Sequence, residues 1–156
     1  MEHFSCKTEI VAGAGAIARL ADLQAKRLLL VTDPYFQKNG TAQAVARAAK
    51  AEKVEIFDQV APDPTVELAA AGAARVKAFQ PDLMVALGGG SAMDCAKAMA
   101  YFGGVSCPFA AIPTTSGSGS EVTDFAILTH NGIKHPLVDE RLRPDLAILD
   151  SDLLQE

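Results

Sequence analysis

Apolar runs alternate with alanine-rich helical segments along the whole chain. Residues 28–32 and 83–87 are unbroken apolar runs, the pattern of strands that are covered on both faces. Further strands are predicted at residues 8–11, 54–60, 109–112, 125–129, 133–138 and 146–149, and helices at residues 16–25, 41–52, 66–79 and 92–102. Strands and helices that alternate at this spacing form βαβ units. The sequence therefore predicts an α/β fold: a doubly wound parallel sheet with helices on both faces, plus a short hairpin near the C-terminus that turns at Asn131-Gly132.

Three consecutive glycines separate the strand at residues 83–87 from the helix that follows it. Ser91 comes next and is predicted as the helix N-cap, with Asp94 three residues on, where a carboxylate suits the positive end of a helix. A backbone without Cβ atoms lets a ligand approach the N–H groups and the helix N-terminus closely. That arrangement suits a phosphate, most often one of a nucleotide. The alternative is a tight strand-to-helix turn with a capped helix.

A second unusual stretch, PTTSGSGSEVT, occupies residues 113–123 directly after a predicted strand. Six of its eleven residues are Ser or Thr and two are Gly. Hydroxyls and free amides can bind a ribose–phosphate without fixed charge, although a flexible polar loop has the same composition. Ligands of doubly wound sheets bind beyond the carboxyl ends of the strands. We therefore expect Asp33, the loop around Asp63 and the glycine turn to converge on one crevice.

Length and charge limit the classes of partner. The 156 residues suffice for one domain, taken as residues 1–156. A net charge of −5 without a Lys/Arg cluster argues against nucleic acid. No apolar run approaches the roughly 18 residues of a membrane span, so a membrane partner is not expected. Three cysteines without CxxC spacing indicate reduced thiols, and a cytoplasmic location is expected.

The two unusual stretches resemble a known family when they are taken together. GGGSAMDCAKAMA and IPTTSGSGSEVTDFAIL, with LLLVTDPYF, APDPTVE and RPDLAILDSDLL, resemble the N-terminal half of the iron-dependent (group III) alcohol dehydrogenases. The resemblance implies a Rossmann-like nicotinamide-nucleotide domain. It also implies that a separate all-helical metal domain, absent from this chain, follows it in the intact enzyme. The implied activity is hydride transfer between a small primary alcohol or aldehyde and NAD(H).

The resemblance assigns the adenosine side of the cofactor to the first half of the chain. Asp33 resembles the acid that accepts from the adenosine ribose 2′-hydroxyl. A 2′-phosphate about 4 Å away would be repelled by roughly 4 kcal/mol at an effective dielectric constant near 20, which favours NAD over NADP. The alternative role for Asp33 is a turn residue before Pro34. Gly89, Gly90 and Ser91 resemble the turn that binds the pyrophosphate.

The nicotinamide side is assigned to the second half. Asp94 lies in the family's GGGSxxD pattern, near the nicotinamide ribose or the substrate, and its alternative role is to match the helix dipole. Thr114, Thr115 and Ser118 match the loop over the phosphate and the nicotinamide ribose. Lys134 resembles a lysine that reaches the cofactor ribose, whereas an exposed hairpin lysine is usually only solvated.

The family's metal site uses one Asp and three His, all in the helical domain. This chain has only His3, His130 and His135, without HxxxH spacing, and two histidines make a poor metal site. Fe²⁺ or Zn²⁺ is therefore expected only in the intact two-domain protein. We expect this chain to be a truncated form that binds the dinucleotide without turning over alcohol.

Two further expectations concern partners and alternatives. Leu153 and Leu154 are expected to lack cover, which predicts some association of copies and a possible homo-oligomer. Besides the missing helical domain, the partner is a small alcohol or aldehyde. The alternative functions are a non-catalytic nucleotide-binding module and the same domain of a glycerol dehydrogenase-like enzyme.

Overall fold

A computed structural model describes residues 1–154. Its strands are β1 (Glu9–Ala12), β2 (Arg27–Val31), β3 (Lys53–Phe57), β4 (Leu83–Gly88), β5 (Phe109–Pro113), β6 (Phe125–His130), β7 (Ile133–Val138) and β8 (Leu146–Leu149). Its helices are α1 (Pro34–Lys38), α2 (Thr41–Ala49), α3 (Val66–Phe79) and α4 (Gly90–Gly103), with 3₁₀ segments at Ala16–Leu23, Ser120–Val122 and Glu140–Leu142. Among the described residues, no helix has both the length and the apolar character needed to cross a bilayer.

Six strands form one parallel sheet in the order β1-β8-β5-β4-β2-β3. From β2 the chain moves outward to β3 and then returns to β4 on the other side of β2. The strand order therefore reverses between β2 and β4. We call the region at the carboxyl ends of these two strands the crevice, because ligands of doubly wound sheets bind at such a switch point. This topology confirms the predicted doubly wound parallel sheet.

Helices cover both faces of the sheet because its strands are apolar on both sides. Leu30 and Val85 belong to a buried cluster that includes α2 and contacts the 3₁₀ segment Ala16–Leu23. Leu29 and Met84 point the other way, into a cluster with α3 and α4. The unbroken apolar runs follow from this two-sided burial.

The strands β6 and β7 form the predicted antiparallel hairpin. Its turn residues Asn131 and Gly132 have φ values of 50° and 75°, the left-handed pair that a two-residue hairpin turn requires. The hairpin is fixed to the domain because Thr129 N donates to Pro64 O at 2.9 Å. Leu128 is buried against α3 and α4.

Several local predictions differ from the structure, among them the end of the strand predicted at residues 54–60, which stops at Phe57 as β3. The segment predicted as a helix at residues 16–25 is a 3₁₀ helix over Ala16–Leu23. Helix α1 was not predicted, because five residues are too few to show a helical period and Asp33-Pro34 indicated only a turn. Helix α2 ends before the predicted residue 52, since Lys50 adopts a left-handed φ of 53°. Leu153 packs partly buried against the core, so the expectation that it lacks cover is wrong, whereas Leu154 is 41% exposed.

Candidate functional site

The crevice between β2 and β4 brings together most of the predicted site residues. A Cβ atom built on Gly88 would lie 3.8 Å from Asp33 Oδ2, and one on Gly89 would lie 3.4 Å from Thr115 Oγ1. A Cβ on Gly90 would lie 3.0 Å from Ser118 Cβ. The hydroxyl-rich loop therefore packs directly over the glycine turn.

The glycine turn places the start of α4 at the carboxyl end of β4. Gly88 has φ 144°, which side-chain-bearing residues rarely adopt, and Thr114 N donates to its carbonyl at 2.9 Å. Gly89 is the N-cap and no side chain caps the helix. The prediction that Ser91 is the N-cap is wrong, because the helix winds directly from the strand and Ser91 is already its second residue.

Asp33 has a structural role and a free carboxylate oxygen near the turn. Its Oδ1 accepts from Tyr35 N at 2.9 Å and from Phe36 N at 3.1 Å, so Asp33 is the N-cap of α1. Its Oδ2 is the atom that faces Gly88. The turn role and a ligand role for Asp33 are therefore compatible.

Asp94 lies beyond the first turn of α4, so its alternative role as a dipole-matching residue is wrong. Its Oδ1 accepts from Ser120 Oγ at 2.8 Å and its Oδ2 accepts from Ile127 N at 3.1 Å. The carboxylate thus links α4 to the hydroxyl-rich loop and to the hairpin.

Lys97 is the main residue that the sequence analysis missed. It lies one helical turn after Asp94 and is 1% exposed. Its Nζ donates to Ser120 Oγ, Thr123 O and Phe125 O, each at 3.0 Å. Burial lowers the pKa of Lys97 to about 8. A single lysine within the apolar helical stretch DCAKAMA is the signal that could have indicated it.

Lys134 forms an ion pair with the loop between β3 and α3. Its Nζ lies 3.1 Å from Asp63 Oδ1, and both side chains are mostly exposed. The pair joins the hairpin to the loop between β3 and α3. A role for Lys134 at the cofactor ribose stays a prediction.

A family model described as iron-containing alcohol dehydrogenase matches residues 7–151. The chain belongs to this family. It is 37% identical to 1-propanol dehydrogenase PduQ of Salmonella typhimurium over 161 residues, covering 99% of this chain and 44% of that protein. It is 34% identical to the NADPH-dependent butanol dehydrogenase of Clostridium saccharobutylicum over 179 residues, covering 99% of this chain and 46% of that protein.

Solved structures of the iron-containing alcohol dehydrogenase family share the fold. The sulfoacetaldehyde reductase from Bifidobacterium kashiwanohense, solved in complex with NAD⁺, superposes with a TM-score of 0.89 at 30% identity. The match covers 98% of this chain and 47% of the reductase. The chain therefore spans about half the length of these relatives, and both the family resemblance and the Rossmann-like architecture are confirmed.

The described residues do not fit the metal that the family name implies. Within residues 1–154, no three His, Cys, Asp or Glu side chains are grouped so that they could hold a metal ion. The ring centroids of His130 and His135 are 6.3 Å apart, and His130 Nδ1 lies 3.4 Å from Glu67 Oε1.

A cavity of about 350 Å³ lies at the opposite, amino end of the sheet. Tyr101, Cys107, Arg141 and Arg143 are among its lining residues. Arg141 stacks 4.6 Å from the Tyr101 ring centroid and bonds to Asp139, and this hydrogen bond lowers the pKa of Asp139 to about 2. None of the predicted site residues lines this cavity.

Proposed function

We propose that this chain is the NAD-binding part of an iron-containing alcohol dehydrogenase that transfers hydride between a small primary alcohol or aldehyde and NAD(H). The observation that carries the proposal is the uncapped start of α4, which follows a glycine turn at the switch point of the sheet. The family membership supports the same function. The nicotinamide ring, when bound, supplies the hydride acceptor.

The start of α4 suits a pyrophosphate. The helical ladder begins where Met93 N donates to Gly89 O at 3.2 Å. The amides of Gly90, Ser91 and Ala92 precede that ladder, and such amides need partners from outside the helix. Because these donors lie at the positive end of a helix, a doubly charged pyrophosphate can accept from them.

Asp33 suits the adenosine ribose of NAD rather than the 2′-phosphate of NADP. Its Oδ1 is occupied by the cap of α1, which fixes the direction of the carboxylate, and its Oδ2 remains directed at the turn. A ribose hydroxyl can donate to Oδ2, whereas a phosphate placed there would be repelled by roughly 4 kcal/mol before rearrangement. The relatives include an NADPH-dependent butanol dehydrogenase and a reductase that was solved with NAD⁺, so family membership does not select the cofactor. The Asp33 carboxylate is our basis for choosing NAD.

The hydroxyl-rich loop suits the phosphates and the second ribose. Thr115 and Ser118 lie over Gly89 and Gly90, where their exposed hydroxyls can donate to or accept from a ligand in the crevice. Thr114 is buried and holds the loop to β4 through its backbone. We assign Asp94 to the nicotinamide side and Lys134 to the ribose by resemblance.

Alcohol oxidation also requires a group that stabilises the hydroxyl as its proton leaves, and a divalent metal commonly does so. Because the described residues do not group as metal ligands, we propose that Fe²⁺ or Zn²⁺ is held by a helical domain outside them. This chain by itself is then expected to bind the cofactor without catalysis.

Calorimetric titration of the 156-residue chain with NAD⁺ and with NADP⁺ tests the proposal. We expect NAD⁺ to bind at least about tenfold more tightly, and we expect no alcohol-dependent NADH formation after Fe²⁺ is added. Equal affinity for both nucleotides would contradict the role of Asp33. Alcohol turnover would contradict the assignment of the metal site to another domain, and binding of neither nucleotide would contradict the proposed function of the chain.

A non-catalytic nucleotide-binding module is the second candidate, because the described residues lack a metal-ligand group. The glycerol dehydrogenase-like alternative shares the same cofactor site. The reading frame that encodes the chain distinguishes the module from the enzyme. A continuation with a DxxxH helix and further histidines supports the enzyme, whereas a stop codon supports the module.

A further inference from the structure

Lys97 has a buried ammonium group with more acceptors than an ordinary surface lysine. The side chain is 1% exposed, and its Nζ lies 3.0 Å from each of four oxygens on the hydroxyl-rich loop and the start of β6. These are Ser120 Oγ, Thr123 O, Thr123 Oγ1 and Phe125 O. A buried charge of this kind persists when its hydrogen bonds are satisfied.

Three of the four acceptors require a proton from Lys97. The carbonyls of Thr123 and Phe125 can only accept, and Ser120 Oγ uses its own proton in the bond to Asp94 Oδ1 at 2.8 Å. An ammonium has three protons to donate, whereas a neutral amine has two. The contacts therefore require the charged form, with Ser120 as the link between Lys97 and Asp94.

The same helix face binds the outer edge of β6. Phe125 O accepts from Lys97, and Ile127 N donates to Asp94 Oδ2 at 3.1 Å. The next outward amide on this strand, Thr129 N, donates instead to Pro64 O at 2.9 Å. Two charged side chains one turn apart on α4 thus hold the loop and the hairpin edge in a fixed position relative to the glycine turn.

We propose that Lys97 is a positioning residue that fixes the Asp94 carboxylate through Ser120 and thereby orders the nicotinamide side of the crevice. This inference rests on the proposed function in one respect only, namely the identity of the ligand that binds in the crevice. The Lys97–Ser120–Asp94 chain itself is a property of the folded protein without ligand. The two parts can therefore be tested separately.

Amide hydrogen exchange, measured by NMR on the ligand-free 156-residue chain, tests the positioning. Ser120→Ala removes the link to Asp94 and leaves the Lys97 bonds to both carbonyls. We expect the Ile127 amide to exchange about tenfold faster, because its acceptor loses a charge-assisted bond, while the Thr129 amide stays within about twofold. Equal acceleration of both amides, or of neither, would overturn the proposal.

Thr8→Val is the matched control, because Thr8 is also a buried hydroxyl and its Oγ1 donates to Pro144 O, away from the crevice. We expect this variant to leave the ratio of the Ile127 and Thr129 exchange rates unchanged. Lys97→Met should raise that ratio at least as much as Ser120→Ala. If Lys97→Met does not fold, Ser120→Ala still decides the question.

Calorimetry with NAD⁺ on the same variants tests the consequence for the crevice. We expect Ser120→Ala to weaken NAD⁺ binding by roughly tenfold and Thr8→Val to leave it unchanged. Faster Ile127 exchange with unchanged NAD⁺ affinity would overturn the ordering of the nicotinamide side. A wild-type chain that binds no NAD⁺ would overturn the proposed function, while the exchange ratio would still decide the role of Lys97.

Discussion

The two ends of the parallel sheet differ in whether their polar groups already have partners. The amino end has a cavity of about 350 Å³, but its arginines already have acidic partners: Arg141 bonds to Asp139 at 2.8 Å and Arg143 bonds to Asp124 at 3.1 Å. At the carboxyl end, in contrast, the first amides of α4 lack a side-chain cap, and the glycines of the turn carry no Cβ atoms of their own. Polar groups that still need a partner, rather than volume, indicate where a charged ligand binds.

The largest effect is expected from a side chain placed in the glycine turn. In Gly90→Val the new Cβ would lie 3.0 Å from Ser118 Cβ, so the hydroxyl-rich loop must move and the first amides of α4 are covered. We expect NAD⁺ affinity to fall by about a thousandfold, since two charge-assisted bonds of about 2 kcal/mol each are lost. Calorimetry measures this.

Gly117→Ala is the matched control for that substitution. A Cβ on Gly117 would have no heavy atom within 4 Å, so this variant should bind NAD⁺ like the wild type. Wild-type affinity in Gly90→Val, or an equal loss in both variants, would contradict the placement of the pyrophosphate at the turn.

A buried residue near each end of the sheet, Lys97 and Cys107, should change the stability of the protein with pH in opposite directions. Burial lowers the pKa of Lys97 from 10.5 to about 8, against the opposing charges of Asp94, Glu121 and Asp124. The unfolded chain then binds more protons between pH 8 and 10.5, so the contribution of Lys97 to the free energy of unfolding rises with pH, by about 3 kcal/mol in total. Burial raises the pKa of Cys107 from 9.0 to about 11, and its contribution falls over pH 9 to 11.

Urea unfolding at pH 7 to 10.5 measures both contributions as differences between the wild type and a variant. The wild type should gain stability relative to Lys97→Met as the pH rises above 8, and it should lose stability relative to Cys107→Ala above pH 9. A wild-type and Lys97→Met difference that is constant from pH 7 to 10.5 would show that burial does not shift the pKa of Lys97.

Removing the charge of Asp33 tests nucleotide selectivity at the carboxyl end. Asp33→Asn keeps an N-cap for α1, so the free energy of unfolding should change by less than about 1 kcal/mol. The preference for NAD⁺ over NADP⁺ should shrink by about tenfold, because the 2′-phosphate no longer meets a carboxylate. Paired titrations with the two nucleotides measure the ratio, and an unchanged preference would remove Asp33 from the ribose site.

The smallest effect is expected at the amino end. Arg141→Gln removes an exposed ion pair with Asp139, and the free energy of unfolding should hardly change because exposed ion pairs contribute little to stability. NAD⁺ affinity should not change, because the cavity lies at the other edge of the sheet. A tenfold loss of NAD⁺ affinity in this variant would indicate that NAD⁺ binds at the amino end of the sheet and would contradict its assignment to the carboxyl end.

The fold was predictable from the sequence where local patterns determine it. Helix α3 has the predicted bounds Val66–Phe79, and it begins after Thr65, a residue type that favours caps, whose Oγ1 accepts from Leu68 N at 3.1 Å. The turn at Asn131-Gly132 follows from two residues that tolerate left-handed φ. These features depend on neighbours within a few positions, so the sequence contains the necessary information.

The site was predictable only in part, because its side chains are fixed by distant contacts. The doubly wound topology explains why Asp33 meets the glycine turn, as the two lie at adjacent strand ends. In contrast, the partners of Lys97 lie 23 to 28 residues away, and no local pattern shows them. Ser91 has a residue type typical of caps, but it is not the cap, because α4 already begins at Gly90 with Gly89 as its N-cap.

The most direct test of the account is an NMR map of amide shifts in the 156-residue chain as NAD⁺ is added. We predict that the largest shifts occur at Gly89, Gly90 and Ser91 and along residues 114–118, while residues 104–109 and 139–145 stay unchanged. Largest shifts at the amino end, around the Arg141 cavity, would contradict the assignment of the binding site to the glycine turn.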